Sequence, residues 1–177
     1  MSRTGNKEIN ILNCKVEEKD NELIVTSTKG SLVVPIQYLI KISIEDTKLI
    51  VSRVNNSKKA KELHGLTRTL INNAIVGLTE GYSKNMFLQG IGYRVQKKGN
   101  GLEFSLGYSH PVFFELNESV SVSVEGTTKF TLTSVDKQLI GQVCANIKSL
   151  RKRDPYKGKG IFFEGEVIKK KPGKSVK

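Results

Sequence analysis

The chain contains 177 residues, of which 37% are hydrophobic and 26% charged, a balance that allows a folded core and argues against wholesale disorder. Its 29 Lys and Arg residues against 17 Asp and Glu residues give a net charge of +12, which favours a polyanionic partner, nucleic acid ahead of a membrane surface. No run approaches the roughly 18 to 20 apolar residues of a membrane span, so we expect no membrane-spanning helix.

The first part of the chain alternates short strands and turns. Segments rich in β-branched residues, joined by turns of hairpin length, indicate an antiparallel sheet. They cover residues 22–27, 32–36, 41–45 and 49–53, with a turn at Asp46 and Thr47. From Ser57 to Leu78 apolar residues recur every three or four positions, which predicts a helix capped by Ser57 and stopped by Gly81.

The second part of the chain repeats this order. Strand-like segments follow at residues 102–106, 111–116, 120–124 and 130–132, and a second helix is predicted from about Ser134 to Leu150. Val33 and Val112, in equivalent strands, are 79 positions apart, and the offset is almost constant along the repeat. Self-similarity of this kind indicates an internal duplication.

These patterns predict an α+β protein of two similar domains, each a small antiparallel sheet packed on one helix. The predicted domains are residues 1–82 and 83–150, and residues 151–177 are predicted to form a basic, extended C-terminal tail. Residues 148–177 hold 11 basic and 3 acidic residues, whereas the preceding 147 residues hold 18 and 14. Within the tail, Ile161–Phe163 offers one apolar anchor. A near-neutral body with a cationic extension is typical of an anchored nucleic-acid-binding arm.

The sequence contains no recognisable catalytic, cofactor or metal motif. No phosphate-binding loop or nucleophile elbow is present, and glycine pairs such as Gly90–Gly92 lack the third glycine of a dinucleotide site. His64 and His110 lie in different halves, and Cys14 and Cys144 form neither a disulfide framework nor a zinc motif. We expect no enzyme activity, no cofactor and no metal, with both thiols as packing groups in a reducing compartment. The first residues also lack the apolar core of a secretory signal.

Candidate RNA contacts concentrate in the tail. Basic side chains neutralise phosphates, aromatic rings stack on unpaired bases, and glycine lets the backbone approach a phosphate closely. The predicted RNA-binding residues are Arg94, Arg151, Lys152, Arg153, Tyr156, Lys157, Gly158, Lys159, Lys169, Lys170, Lys171 and Lys174. A second group of candidates, for which packing, turn formation or fraying is an open alternative, comprises Ser2, Arg3, His64, Arg68 and His110.

Several segments together resemble the large-subunit ribosomal protein six family in its bacterial form. They are Gly90–Arg94, Leu106–Val112, Tyr156–Ile161 followed by Glu164–Val167, Met1–Arg3 with Gly5, and Leu63–Arg68 followed by Asn72 and Asn73. The likeness runs from end to end, in the right order and spacing. The sequence also departs from the family pattern. Arg153, Phe162 and Phe163 are not the residues expected at their positions, and residues 33–39 and 55–61 do not match the family closely.

The resemblance implies a two-domain structural protein of the large ribosomal subunit without enzymatic activity. It implies binding to large-subunit rRNA, chiefly through the second domain and the basic tail, near the base of the stalk that recruits translation factors. The implied partners are this rRNA and neighbouring large-subunit ribosomal proteins, with no membrane, and the chain is expected as a monomer within a cytoplasmic ribosome. An organellar ribosome is compatible with the Asn- and Lys-rich composition.

The residues by themselves leave two other classes of function open. An RNA-processing enzyme could use a basic tail for capture, and a free RNA-binding factor would show the same charge pattern. A membrane-surface module would carry its cations opposite an apolar helical face, whereas these cations lie in a segment broken by Gly and Pro.

Overall fold

A computed structural model describes residues 3–11, 13–45 and 47–174. The chain divides into two compact units: Met1–Gly81 with Val135–Lys137, and Tyr82–Ser134 with Gln138–Lys177. Asp46, predicted to form a turn, lies outside the described residues. Among the described residues no helix combines the length and the apolar character needed to cross a membrane.

In its described residues the first unit contains six strands and one long helix. They are β1 (Ile9–Asn10), β2 (Lys15–Lys19), β3 (Glu22–Ser27), β4 (Gly30–Pro35), β5 (Ile40–Glu45), β6 (Lys48–Arg53) and α1 (Lys58–Thr79). The strands form two antiparallel sheets in the orders β1-β6-β5 and β2-β3-β4. The helix begins as its sequence predicts, because the Ser57 hydroxyl accepts a hydrogen bond from the Ala60 backbone N–H at 3.2 Å.

Alternation of side chains builds the core of the first unit. Leu23 and Val25 in β3 and Leu49 in β6 are fully buried, while their sequence neighbours face outward. Ile71 and Leu78 on the apolar stripe of α1 belong to the same buried cluster. Period-two strands and a period-3.6 helix therefore present their apolar faces to one another, which is why this sequence folds as α+β.

The second unit repeats this arrangement. Its elements are β7 (Tyr82–Gln89), β8 (Arg94–Lys98), β9 (Gly101–Ser105), β10 (Val112–Glu115), β11 (Val120–Glu125), β12 (Lys129–Ser134), α2 (Lys137–Leu150) and β13 (Gly160–Phe163). The sheets have the orders β10-β9-β8 and β11-β12-β7-β13, again antiparallel throughout. Its core contains Phe104 and Phe130, which meet edge to face with their ring centroids 5.7 Å apart.

The predicted duplication is visible in the register of the strands. Lys15 pairs with Thr26 in the first unit, and Arg94 pairs with Ser105 in the second, so both partners are displaced by 79 positions. The order β1-β6-β5 corresponds in the same way to β7-β12-β11. In both units the strands divide between two sheets, where the sequence suggested one. The α+β class and the two similar units agree with the prediction.

The second unit has one strand without a counterpart. β13 pairs antiparallel with the free edge of β7, with Ile161 opposite Leu88 and Phe163 opposite Met86. Ile161, the predicted anchor, is fully buried. No periodic signal marks this strand in the sequence, because four residues are too few to establish one. The segment after residue 150 is therefore partly built into the sheet.

We expect the Cys144 thiol to be unreactive in the folded chain. Burial raises its pKa to about 11, so the reactive thiolate is scarce at about pH 8. Cys14 is half-buried, and burial raises the pKa of its thiol too. Titration of the native protein with a chromogenic disulfide reagent should label Cys14 slowly and leave Cys144 unlabelled. In denaturant both thiols should react at once. Rapid native labelling of Cys144 would contradict its placement in the core.

Candidate nucleic-acid interface

Residues 151–159 form a loop closed by its own hydrogen bonds. The Asp154 carboxylate accepts from the backbone N–H groups of Tyr156 and Lys157, both at 3.0 Å. These two bonds lower the pKa of Asp154. The Asp154 N–H donates to the Lys159 carbonyl at 2.7 Å, and the Gly158 N–H donates to the Asp154 carbonyl at 2.9 Å. The loop thus has a defined shape in which the Tyr156 side chain, 56% exposed, projects outward.

Arg153 braces this loop from inside. Its guanidinium donates to the carbonyl of Glu166 at 2.8 Å, the carbonyl of Gly158 at 3.2 Å and Oε1 of Gln89 at 3.2 Å. The same group lies 3.9 Å from the ring centroid of Phe162. Arg153 was predicted to meet RNA phosphate; each of its three guanidinium nitrogens already donates one hydrogen bond within the protein, and its contact with RNA stays a prediction. Its observed role is to position the loop against β7 and β13.

The two glycines of the loop serve the protein's own packing. A Cβ on Gly160 would lie 2.7 Å from Arg153 Cα and 2.8 Å from the Lys152 carbonyl oxygen, and the residue has φ of +139°. Gly158 is buried with φ of +76°, and its N–H is already bonded within the loop. The sequence suggested that these glycines admit a phosphate. Protein backbone occupies that place only at Gly160, while Gly158 serves as a turn residue and its contact with RNA stays a prediction.

The segment after β13 is held against the loop and α2. The Glu166 carboxylate pairs with the Lys148 ammonium at 2.7 and 2.8 Å and accepts from the Phe163 N–H at 3.2 Å. The hydrogen bond from Lys148 is the main reason why the pKa of Glu166 is lowered. Farther on, the Lys171 N–H donates to the Pro155 carbonyl at 3.0 Å. The lysines at 169–171 are thereby placed beside the loop.

The turn at residues 90–93 lies next to the same loop. Gln89, which bonds Arg153, pairs with Gly160 at the end of β7. The ring of Tyr93 packs flat on Gly90, where a Cβ would lie 2.7 Å from the ring, and the Tyr93 N–H donates to the Gly90 carbonyl. Ile91 stands at the tip of this turn, 90% exposed. Arg94, the first residue of β8, is exposed.

The turn at residues 107–111 completes the surface. The Tyr108 hydroxyl donates to the Leu150 carbonyl at 2.9 Å, and the Arg151 guanidinium lies 4.8 Å from the Tyr108 ring centroid. The phenol groups of Tyr108 and Tyr93 raise the pKa of Arg151, which favours its charged form. His110 is exposed in this turn. Three segments far apart in sequence thus meet: 89–94, 107–110 and 150–159.

Most predicted tail cations are free to meet a ligand. Within the described part of residues 148–174, Lys148 is the only cation in an ion pair, and the carboxylates of this segment are bonded to protein groups. Arg151 and Lys159 are half-buried, and the other candidates of this surface are exposed: Arg94, His110, Lys152, Tyr156, Lys157, Lys169, Lys170, Lys171 and Lys174. We call this set of exposed and half-buried residues the cationic surface.

The candidates in the first unit have a different outcome. Ser2 lies outside the described residues, and Arg3 is exposed. His64 is only 3% exposed, so its ring lies inside the unit and not on the outer face of α1, and its contact with RNA stays a prediction. Arg68 donates to the carbonyls of Lys7 and Glu8, both at 3.2 Å. It therefore fastens the N-terminal segment to α1, which is the packing role left open above.

No group of three or more His, Cys, Asp or Glu side chains able to hold a metal occurs among the residues that the structure describes. The cationic surface presents positive charge and an aromatic ring, which are means of binding a polyanion, and the apolar tip formed by Ile91 lies beside it. Sequence reasoning missed the exposed Ile91 and the bracing role of Arg153. The Gly90–Gly92 pair was the one signal that could have pointed to Ile91.

Comparison with known proteins gives a consistent result. The family model described as Ribosomal protein L6 matches residues 12–81 and 89–163, one match in each unit. The chain is 48% identical over 176 residues to the large ribosomal subunit protein uL6 of Borreliella burgdorferi strain ZS7. The protein of the same name from strain B31 has the same identity, and in both cases the alignment covers 99% of this chain and 98% of the relative.

Proposed function

Since this chain belongs to the ribosomal protein L6 family, we propose that it is a structural component of the large ribosomal subunit that binds large-subunit rRNA through its second unit. The family is one of ribosomal proteins and not of enzymes. The observation that carries the rRNA-binding proposal is the cationic surface. Its exposed lysines lack carboxylate partners within the described segment, and a hydrogen-bonded loop fixes the backbone that carries Lys157.

The mechanism is recognition of phosphates and of shape. Lys157 and Lys159 sit on a loop of defined conformation, so little ordering entropy is lost there when RNA binds. Tyr156 offers a ring for stacking on a base or sugar, and Arg151 stays charged beside Tyr108. Residues 169–174 are exposed and add further charge. Release of condensed counterions from the RNA then supplies much of the binding free energy.

The family resemblance supports a more specific location. We place the protein near the base of the factor-recruiting stalk, with neighbouring large-subunit proteins as further partners and one copy in each ribosome. Sedimentation of lysate at moderate salt tests this assembly. Co-migration with large-subunit particles supports it, whereas migration as a free chain would favour an independent RNA-binding or RNA-processing factor.

Charge reversal in the loop tests rRNA binding directly. We expect the double variant K157E/K159E to raise the Kd for large-subunit rRNA at least about tenfold and to reduce the slope of log K against log salt by about 1.4–1.8, because two phosphate contacts are lost. Its melting temperature should stay close to that of the parent, since neither lysine forms an ion pair within the described residues and changes of surface charge cost little. The double variant K58E/K59E is the control, because it makes the same charge change at the start of α1 in the first unit.

The control also favours folding, since acidic residues in the first turn of a helix are stabilising. Binding by filter retention or fluorescence anisotropy should be near normal for K58E/K59E. If both double variants lose the same affinity and the same salt slope, the effect is one of net charge alone. The cationic surface would then not be the rRNA-binding site.

A further inference from the structure

The first unit contains a polar pocket whose lining residues do not belong to the cationic surface. Its volume is about 280 Å³, and its lining includes Asn6, Arg53, Asn55 and His64. Two nitrogen atoms, Arg53 Nη1 and His64 Nδ1, are buried and have no hydrogen-bond partner among the residues that the structure describes. Leaving such groups unsatisfied costs free energy, so native proteins rarely do so without a functional reason.

His64 has a defined chemistry in this pocket. The side chain is 3% exposed, and its Nε2 lies 2.8 Å from the Val51 carbonyl oxygen. A carbonyl oxygen only accepts, so Nε2 carries the proton and donates to it. In the tautomer with its single proton on Nε2, the ring presents a lone pair at Nδ1, and the complementary ligand group is a hydroxyl or amine that donates.

Arg53 requires the opposite kind of ligand group, a hydrogen-bond acceptor. Its guanidinium is permanently positive and carries only donors, so Nη1 calls for an acceptor, with an anionic oxygen as the best one. A ligand that satisfies both nitrogen atoms must therefore offer a donating group to His64 and an anionic oxygen to Arg53. A simple anion would satisfy Arg53 but not the lone pair of Nδ1.

The surrounding chain holds the pocket in shape. Gly5 packs flat on the His64 ring, where a Cβ would lie 2.6 Å from Cε1, so a larger residue would displace the imidazole. Arg68 binds the carbonyls of Lys7 and Glu8 and so fixes the segment that includes Asn6 at the rim. Gly5 and the segment 63–68, which carry the resemblance in the first unit, therefore meet at this pocket.

We propose that this pocket binds one ribose-phosphate unit of rRNA, with a ribose 2′-hydroxyl donating to His64 Nδ1 and a phosphate oxygen accepting from Arg53. The inference rests on the proposed rRNA binding and adds a second contact, in the first unit. It assigns a role to two buried groups, and it makes the contact selective for RNA, because DNA lacks the 2′-hydroxyl. Arg68 and Gly5 are positioning residues.

Replacement of Arg53 is the first test. We expect R53Q to raise the Kd for large-subunit rRNA about five- to tenfold and to lower the salt slope by about 0.7–0.9, as for one lost phosphate contact. The control K41Q removes one exposed charge from β5 of the same unit and should change the Kd less than about twofold. R53K should recover part of the salt slope, because it restores charge but not the planar donors.

The imidazole of His64 provides the second test and does not depend on a variant. In the full chain with ¹⁵N-labelled histidine, the ring signals should show the proton on Nε2. Titration with adenosine 3′-monophosphate, which has a 2′-hydroxyl next to its phosphate, should shift the Nδ1 signal. The 2′-deoxy compound should shift it markedly less.

The outcomes separate this inference from the proposed function. If the parent chain does not bind large-subunit rRNA, the proposed function itself is wrong. If the parent binds but R53Q binds equally well with unchanged circular dichroism, or if Nδ1 responds to neither nucleotide, the pocket holds only water and this inference is wrong. Equal shifts with the ribose and deoxyribose compounds would identify a simple anion site and overturn the 2′-hydroxyl contact.

Discussion

The variant G160A should unfold about 2–4 kcal/mol more easily than the parent chain, as a sum of overpacking and backbone strain. The added Cβ would lie 2.7–2.9 Å from three backbone atoms, Arg153 Cα, Arg153 N and the Lys152 oxygen. Backbone cannot move aside as a side-chain tip can, so β13 must shift away from β7 or residues 152–153 must move. The φ of +139° adds strain, because residues with a Cβ rarely adopt it.

Chemical denaturation followed by circular dichroism measures this change, and hydrogen exchange locates it. The Ile161 amide, which donates to the Arg151 carbonyl, should lose protection. The control is G173A, since a Cβ at Gly173 meets nothing within 4 Å and the residue lies in the same C-terminal segment. The G160A variant should also bind rRNA more weakly, because the loop that presents Tyr156 and Lys157 loses its anchor. Parental stability in G160A would contradict the tight contact.

The variant F104A should lower the free energy of unfolding by about 3–5 kcal/mol, which is the usual cost of removing a fully buried phenyl ring. Phe104 is 0% exposed and meets the equally buried Phe130 edge to face at 5.7 Å. Alanine would lose the transfer free energy of the ring, the aromatic contact and the packing around the cavity that remains.

Phe113 in the neighbouring strand β10 supplies the control for this prediction. It pairs with Glu103 across the strands and is 53% exposed. We expect F113A to cost less than about 1.5 kcal/mol by the same denaturation measurement, because only part of its ring leaves water on folding. Similar losses for the two alanine variants would mean that Phe104 does not lie in the core of the second unit.

The two sets of predictions address different parts of the protein. F104A concerns the duplicated core, which both units share in form, whereas G160A concerns the added strand β13, which belongs to the second unit only. The cationic surface depends on that addition, because Arg153, Glu166 and the residue 169–171 segment are fixed through β13 and the chain around it. A variant of β13 should therefore affect RNA binding more than its cost in stability alone suggests.

Local patterns in the sequence determined the class of fold. The spacing from Ser57 to Leu78 predicted α1 almost to its observed bounds, because the apolar stripe and the cap are both local signals. The nearly constant offset of about 79 positions predicted the equivalent strand registers that β2-β3 and β8-β9 show in the two units. The excess of cations after residue 147 also located the candidate interface, since charge is a property of composition and needs no folding to be read.

Local patterns could not determine which of the singled-out residues face a ligand. Arg153 bonds Gln89, 64 positions away, and Gly160 owes its identity to a contact with the backbone of residues 152 and 153. The sequence left His64 open between an RNA contact and packing, because its one-turn spacing to Arg68 does not show that Gly5 packs on its ring. Strand β7 was missed since only Met86 and Leu88 of its eight residues are buried.

The difference between what the sequence alone predicted and what required the tertiary structure has one physical reason. Periodicity and charge report how a segment meets water, and each segment carries that information in its own residues. Whether a cation braces a loop or binds a phosphate depends on which distant atoms stand beside it, and only the tertiary structure brings those atoms together.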